Sequence, residues 1–101
     1  MVREELVEAL QSIDDRAVVT VYEDRPPFRP FVVSPHFIGL DEGERQRQVW
    51  RIIVDRFTTE ELPRVAFIFT DTPEERAEVE RQIAANESNA ATLGLPGDDS
   101  T

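Results

Sequence analysis

The sequence predicts an α+β domain, a two-layer arrangement in the order helix, strand, strand, short turn, helix, strand, helix, with a three-stranded mixed sheet and its helices on one face. Three observations carry that expectation. Apolar residues recur at helical spacing near the start of the chain and again between residues 41 and 57. β-branched and aromatic residues gather in short runs bounded by prolines and acidic pairs. A tight loop joins the first two runs, whereas a long helical segment separates the second from the third, a crossover that makes the third strand parallel to the second.

Val2, Leu6, Val7, Leu10 and Ile13 predict an amphipathic helix over residues 2 to 14 whose Glu4, Glu5 and Glu8 stay solvated, and Asp14-Asp15 ends it. Ala17-Val18-Val19-Thr20-Val21-Tyr22 follows as the first strand. Glu23-Asp24-Arg25-Pro26-Pro27 cannot continue a ladder, because consecutive prolines lack donors, and it reads as the hairpin loop. Phe31-Val32-Val33-Ser34 is a short second strand, with Pro30 tolerable at its first or an unpaired position. Pro35 to Gly39 makes a tight connection closed by a glycine.

The long helix is expected over residues 41 to 57, with Asp41 as N-cap, Glu44 reaching back at N3, and Val49, Trp50, Ile53, Val54 and Phe57 on its buried face. Residues 58 to 63 have a second capping pair but only length for a single turn before Pro63 stops it. The third strand, residues 64 to 70, is apolar on both alternating sets and is expected to be covered on both sides. Thr72-Pro73-Glu74-Glu75 starts the final helix: a hydroxyl at N-cap, proline at N1 and glutamate at N3 satisfy or remove several orphan donors. Its apolar stripe, Ala77, Val79, Ile83 and Ala84, is thin, and the helix is expected to end near residue 86. Residues 1 to 86 then form one domain, and 87 to 101 a disordered acidic tail.

Composition narrows the function classes. A chain of 101 residues suits one modest core, and no run is long and apolar enough to span a bilayer. The polar, acidic start lacks the pattern of a secretory signal, so a cytoplasmic setting is expected. Without cysteine there is no disulfide, thiolate nucleophile or cysteine-ligated metal. A formal net charge of −10 repels phosphate backbones, which disfavours nucleic acid. All 11 basic residues are arginine.

Several segments, taken in order, resemble the BolA family, small proteins with a fold related to the class II KH domain. Val32-Val33-Ser34 is similar to the family's second strand, and Phe37-Ile38-Gly39 to its Phe-x-Gly turn. Arg45-Gln46-Arg47-Gln48-Val49-Trp50 resembles its Arg-His-Arg-x-Val-aromatic helix segment. Val65-Ala66-Phe67 stands where the family has His-Ala-Leu, and Thr72-Pro73-Glu74-Glu75 resembles its Thr-Pro-x-Glu helix start. The similarity spans residues 2 to 81. It implies a non-catalytic module that partners monothiol glutaredoxins, in some members sharing an iron-sulfur cluster, and in others linked to DNA binding. The chain departs from the family at the cluster: Val65 replaces the ligating histidine and has no lone pair for iron, and residues 23 to 30 hold neither His nor Cys. The expectation is therefore a protein-binding or regulatory module, a monomer or weak dimer, without a cofactor or metal of its own. A KH-like nucleic-acid regulator is the alternative, although Gly39-Leu40-Asp41-Glu42-Gly43 lacks the Gly-x-x-Gly clamp and carries acids where basic residues would help.

The candidate binding residues are Phe28, Arg29, Arg45, Arg47 and Arg51. Phe28 and Arg29 sit in a stiff Pro-rich loop and have side-chain types favoured in interfaces, yet Phe28 would equally fold back on the core. The arginines place positive charge on the long helix, either as a docking strip or as ordinary pairs from Glu44 to Arg47 and from Arg51 to Asp55. His36 is the sole histidine and reads as a surface turn residue. Ser34 has no triad context, and the carboxylate pairs Asp14-Asp15, Asp41-Glu42 and Glu60-Glu61 read as solvated surface.

Overall fold

The computed structural model describes the backbone of residues 1–93 and the side chains of residues 1–87. It comprises α1 (Arg3–Gln11), β1 (Val18–Thr20), β2 (Phe31–Val33), a 3-10 turn (Pro35–Phe37), α2 (Glu42–Arg56), a second 3-10 turn (Leu62–Arg64), β3 (Phe69–Asp71) and α3 (Pro73–Leu93). The α+β class and the element order are those the sequence predicts. β2 is central: β1 lies antiparallel to it with Val19 opposite Val32, and β3 parallel to it with Val32 opposite Thr70.

Local chemistry explains where most elements begin. The Glu5 carboxylate accepts from the Val2 N–H at 2.8 Å and closes the start of α1. Asp41 caps α2 by accepting from the Glu44 N–H at 2.8 Å, but the Glu44 side chain turns outward to Arg47 and Gln48 instead of reaching back. At α3 the reciprocal box is complete: the Glu75 N–H donates to Thr72 Oγ1 at 3.1 Å, and the Thr72 N–H donates to Glu75 Oε1 at 2.9 Å. Buried Ser34 caps the first 3-10 turn and donates to Asp14 at 3.1 Å, tying β2 to the turn after α1. Gly39 takes φ +83, a conformation that strains residues carrying a Cβ, and ends that turn.

The third strand departs most from expectation. Residues 64 to 68 do not join a regular ladder. The second 3-10 turn takes up Arg64, Val65 forms an isolated parallel bridge to Phe28, and regular pairing begins only at Phe69. The register moves by one residue in between, because Phe28 faces Val65 whereas Phe31 faces Phe69. Proline at position 30 accepts from the Phe69 N–H at 2.9 Å but has no N–H to return, so the ladder lapses there and one extra residue bulges out. A bulge reverses which side chains point inward. Val65 and Ile68 are buried, Ala66 and Phe67 are both exposed, and Phe69 stays on the outer face with Phe67. The double-sided burial expected for this segment is thus corrected.

Leu6 and Leu10 of α1, Val49 and Ile53 of α2, and Val21, Val32 and Ile68 from the sheet layer share one core with Phe28 and Phe37. α1 and α2 therefore cover one sheet face as expected, but α3 sets out from the other, where the Arg76 guanidinium lies 5.4 Å from the Phe31 ring centroid, so the expectation of all helices on one face is corrected for α3. Val54, expected inside, is exposed, and Trp50 packs at the core margin with its indole N–H on Gln46 at 3.1 Å. α3 runs to Leu93 rather than ending near 86, because after Pro73 no glycine or proline interrupts the chain before Gly94. Of the tail expected to be disordered, residues 87–93 are thus helical, and 94–101 lie outside the described residues.

Phe28 is the sharpest test of this arrangement, since a loop aromatic could equally have been an interface residue. At 1% exposure it should behave as core, and Phe28→Ala is expected to cost about 3–5 kcal/mol in urea unfolding. A midpoint unchanged from the parent would contradict its placement.

Candidate protein-binding surface

The predicted site residues do not form one patch. Phe28 is interior, which removes it as a surface contact. Arg29 is exposed, its backbone N–H donating to Glu23 at 3.0 Å. Arg45 is buried at 8% exposure and fully engaged. Its guanidinium makes a bidentate pair with Glu75 at 2.7 and 3.1 Å, while Nε donates to the Leu40 carbonyl at 2.8 Å and a terminal nitrogen to the Thr70 carbonyl at 3.3 Å. It is an internal clamp between α2, β3 and α3. The sequence held a signal for this, because Arg45, Val49 and Ile53 fall at i, i+4 spacing on one stripe. Arg47 and Arg51 occupy a different stripe and stay exposed.

What remains of the basic strip borders a shallow groove with Ile13 and His36. Arg47 pairs with Glu44 as expected, whereas Arg51 and Asp55 form no ion pair among the described residues. His36 contacts Gln48 at 2.6 Å, which accounts for it as a turn residue leaning on α2. Gln46, at the resemblance's helix-histidine position, donates to the Ile68 carbonyl at 2.8 Å and to Glu42 at 3.0 Å, bracing α2 against the β3 segment. Val65, at the ligating-histidine position, is buried. No group of three or more metal-ligating side chains occurs among the described residues.

The largest feature that sequence reasoning missed lies on the sheet face away from α1 and α2. Four aromatic rings cross it in a row. Tyr22 meets Phe31 edge-on at 5.8 Å between centroids, Phe31 stacks on Phe69 at 4.5 Å, and Phe69 meets Phe67 edge-on at 4.8 Å. Tyr22 is 68% exposed, Phe67 49% and Phe69 38%, with exposed Val18 on the same face. Val79 and Ile83 of α3 are exposed too, and Arg76 and Glu80 bound a depression over Phe31 and Val33. A run of large apolar side chains left in water marks an interaction surface more often than a random exposure does.

The electrostatics beside this face are set by the clamp. Hydrogen bonding from Arg45, then from the Thr72 backbone N–H, holds the Glu75 carboxyl well down, at about 2. Burial, then repulsion from Glu75, pushes the neighbouring Asp71 up. Glu61 is also held at about 2, by the amino group of residue 1 and the Thr58 backbone N–H.

Comparison of the chain with protein-family models, with curated proteins and with solved structures returns no match. No helix among the described residues is long and apolar enough to cross a membrane.

Because the folded-state value of Glu75 is depressed, its contribution is complete above the ordinary carboxylate value of 4.5 and drains away as pH falls towards about 2. Glu75→Gln is expected to flatten stability between those limits, the residual slope belonging in part to Glu61, as read by urea unfolding across the pH series. Arg45→Met should destabilise by about 1–3 kcal/mol at neutral pH, because it strands the Leu40 and Thr70 carbonyls as well as the carboxylate. Equal acid sensitivity of Glu75→Gln and parent would show that the pair is not formed.

Proposed function

We propose that this chain is a BolA-like, non-catalytic protein-binding module of the cytoplasm whose partner is a glutaredoxin-type protein, with no iron ligand of its own. The observation that carries the binding reading is the aromatic row on the sheet face opposite α1 and α2, which only the first turns of α3 border. Exposed Tyr22, Phe67 and Phe69 offer large rigid contact area of the kind that dominates binding energy at interfaces. The element order and the motifs from Val32 to Glu75 support the family reading. The burial of Val65 supports the absence of a ligand at that position, since its side chain is spent on the core.

A purified monothiol glutaredoxin titrated calorimetrically is the direct test. Binding to the parent is expected, weakened about tenfold or more in a Tyr22→Ser, Phe67→Ser double variant that retains the parent's circular dichroism. Equal binding by both proteins would move the contact off this face, and no binding to either would remove the glutaredoxin assignment. Iron in the complex ligated by a side chain of this protein would overturn the cluster-free part of the proposal.

A further inference from the structure

A second open feature lies at the β1 edge of the sheet, against α1 rather than on the aromatic face. β1 is an edge strand, and a groove of about 930 Å³ runs between it and α1. The direction of β1's backbone groups follows from the hydrogen bonds of β2. The Pro30 carbonyl accepts from Phe69, and the Ser34 N–H donates to the Asp71 carbonyl, so the even positions of β2 point towards β3. Phe31 and Val33 therefore point towards β1 and bond their partners Thr20 and Val18, leaving Val19 opposite Val32 as a non-hydrogen-bonded pair. The N–H and C=O of Val19 therefore face outward at the groove, and Val21, just past the end of β1, has no hydrogen-bond partner for either backbone group among the described residues. The next outward carbonyl back along the strand, that of Ala17, is already taken by the Gln11 side-chain amide.

The opposite wall is a single stripe of α1. Glu4, Val7, Glu8 and Gln11 are spaced i, i+3, i+4 and i+7, covering about 10 Å of helix, which matches about three residues of extended chain. Val7 is half-buried and gives the wall an apolar centre. Glu8 has no ion-pair partner among the described residues, and Glu4 has only Arg3, which is itself held by Asp24 at 2.7 Å. Arg56 is the other cation on the lining and also has no ion-pair partner among the described residues.

We infer that this groove takes an extended, basic segment of a protein partner, which adds to the free edge of β1 as a fourth strand. Backbone pairing with Val19 and Val21 supplies the main-chain bonds, an apolar side chain meets Val7, and arginine or lysine side chains flanking it meet Glu4 and Glu8. Charge selects this occupant over a second copy of the chain. Each copy carries a formal net charge of −10, and pairing β1 with itself would bring two α1 stripes side by side, each with Glu4 and an unpaired Glu8.

The test uses an acetylated, amidated, fluorescein-labelled peptide of sequence Thr-Arg-Thr-Val-Thr-Arg-Thr, whose alternation puts both arginines and the valine on one side. Saturable binding is expected below about 1 mM, weakened about tenfold by Glu8→Arg, an exposed substitution that leaves the fold intact. On saturation, hydrogen exchange at the Val19 and Val21 amides should slow about tenfold or more, and a peptide N-methylated on its edge-facing amides should not bind. A Phe67→Ser variant, altered beside β3 at the far edge of the sheet, should bind the peptide like the parent, which separates failure here from failure on the aromatic face. Three results would overturn the inference: no saturation, equal affinity for the peptide with glutamate in place of arginine, or binding that leaves both amides unprotected. A concentration-dependent dimer that protects the same amides without peptide would assign the edge to a second copy instead.

Discussion

The Arg45 guanidinium reaches four parts of the chain at once: the turn before α2 through Leu40, the middle of β3 through Thr70, the first turn of α3 through Glu75, and the ring of Phe37 at 5.8 Å. Burying a charge is tolerable only when its donors find acceptors with good geometry, and the bidentate carboxylate together with two carbonyls provides them. The same Glu75 carboxylate also closes the capping box of α3, so the clamp and the helix start are one hydrogen-bonded unit. Where β3 stops and which way α3 departs both follow from it. A hydrophobic contact at this point would tolerate sliding, whereas a forked ion pair fixes direction.

The sheet face opposite α1 and α2 owes its character to a different constraint, the missing donor of Pro30. One lapsed ladder bond admits one extra residue between Val65 and Phe69, and that residue changes the facing of everything after it. In an unbroken register Phe67 would fall on the same side as Val65. With the bulge, Phe67 and Phe69 both join Phe31 and Tyr22 outside, while Ile68 and Thr70 take the inward positions. The apolar surface proposed for binding is therefore built by the same proline that marks the start of β2. α1 and α2 fill the other face, and α3, anchored through Thr72 and Glu75, borders this one with Arg76 on the Phe31 ring and Glu80 beyond it, leaving Val79 and Ile83 in water.

Features encoded within a few residues were legible in the sequence. The Thr72 to Glu75 box, the Asp41 cap and Gly39 depend on neighbours no more than three positions away, and the apolar stripe through Val49 and Ile53 depends only on helical geometry. The order of elements followed from these punctuation marks. The candidate site is less legible, because charge on a helix reads locally as surface charge: Arg47 and Arg51 are exposed, but Arg45 shares the inward stripe and is consumed by a carboxylate 30 positions away.

By itself, then, the sequence determined the class of fold, the starts of α2 and α3, the absence of thiol chemistry and a net charge that opposes polyanions. Tertiary structure alone decided which side chains those elements present. Phe28 became core and Phe67 became surface because of pairing between segments almost 40 residues apart, and the free edge of β1 exists because no strand among the described residues lies on the side of β1 away from β2. Such outcomes depend on register and on long-range partners, which local periodicity does not encode.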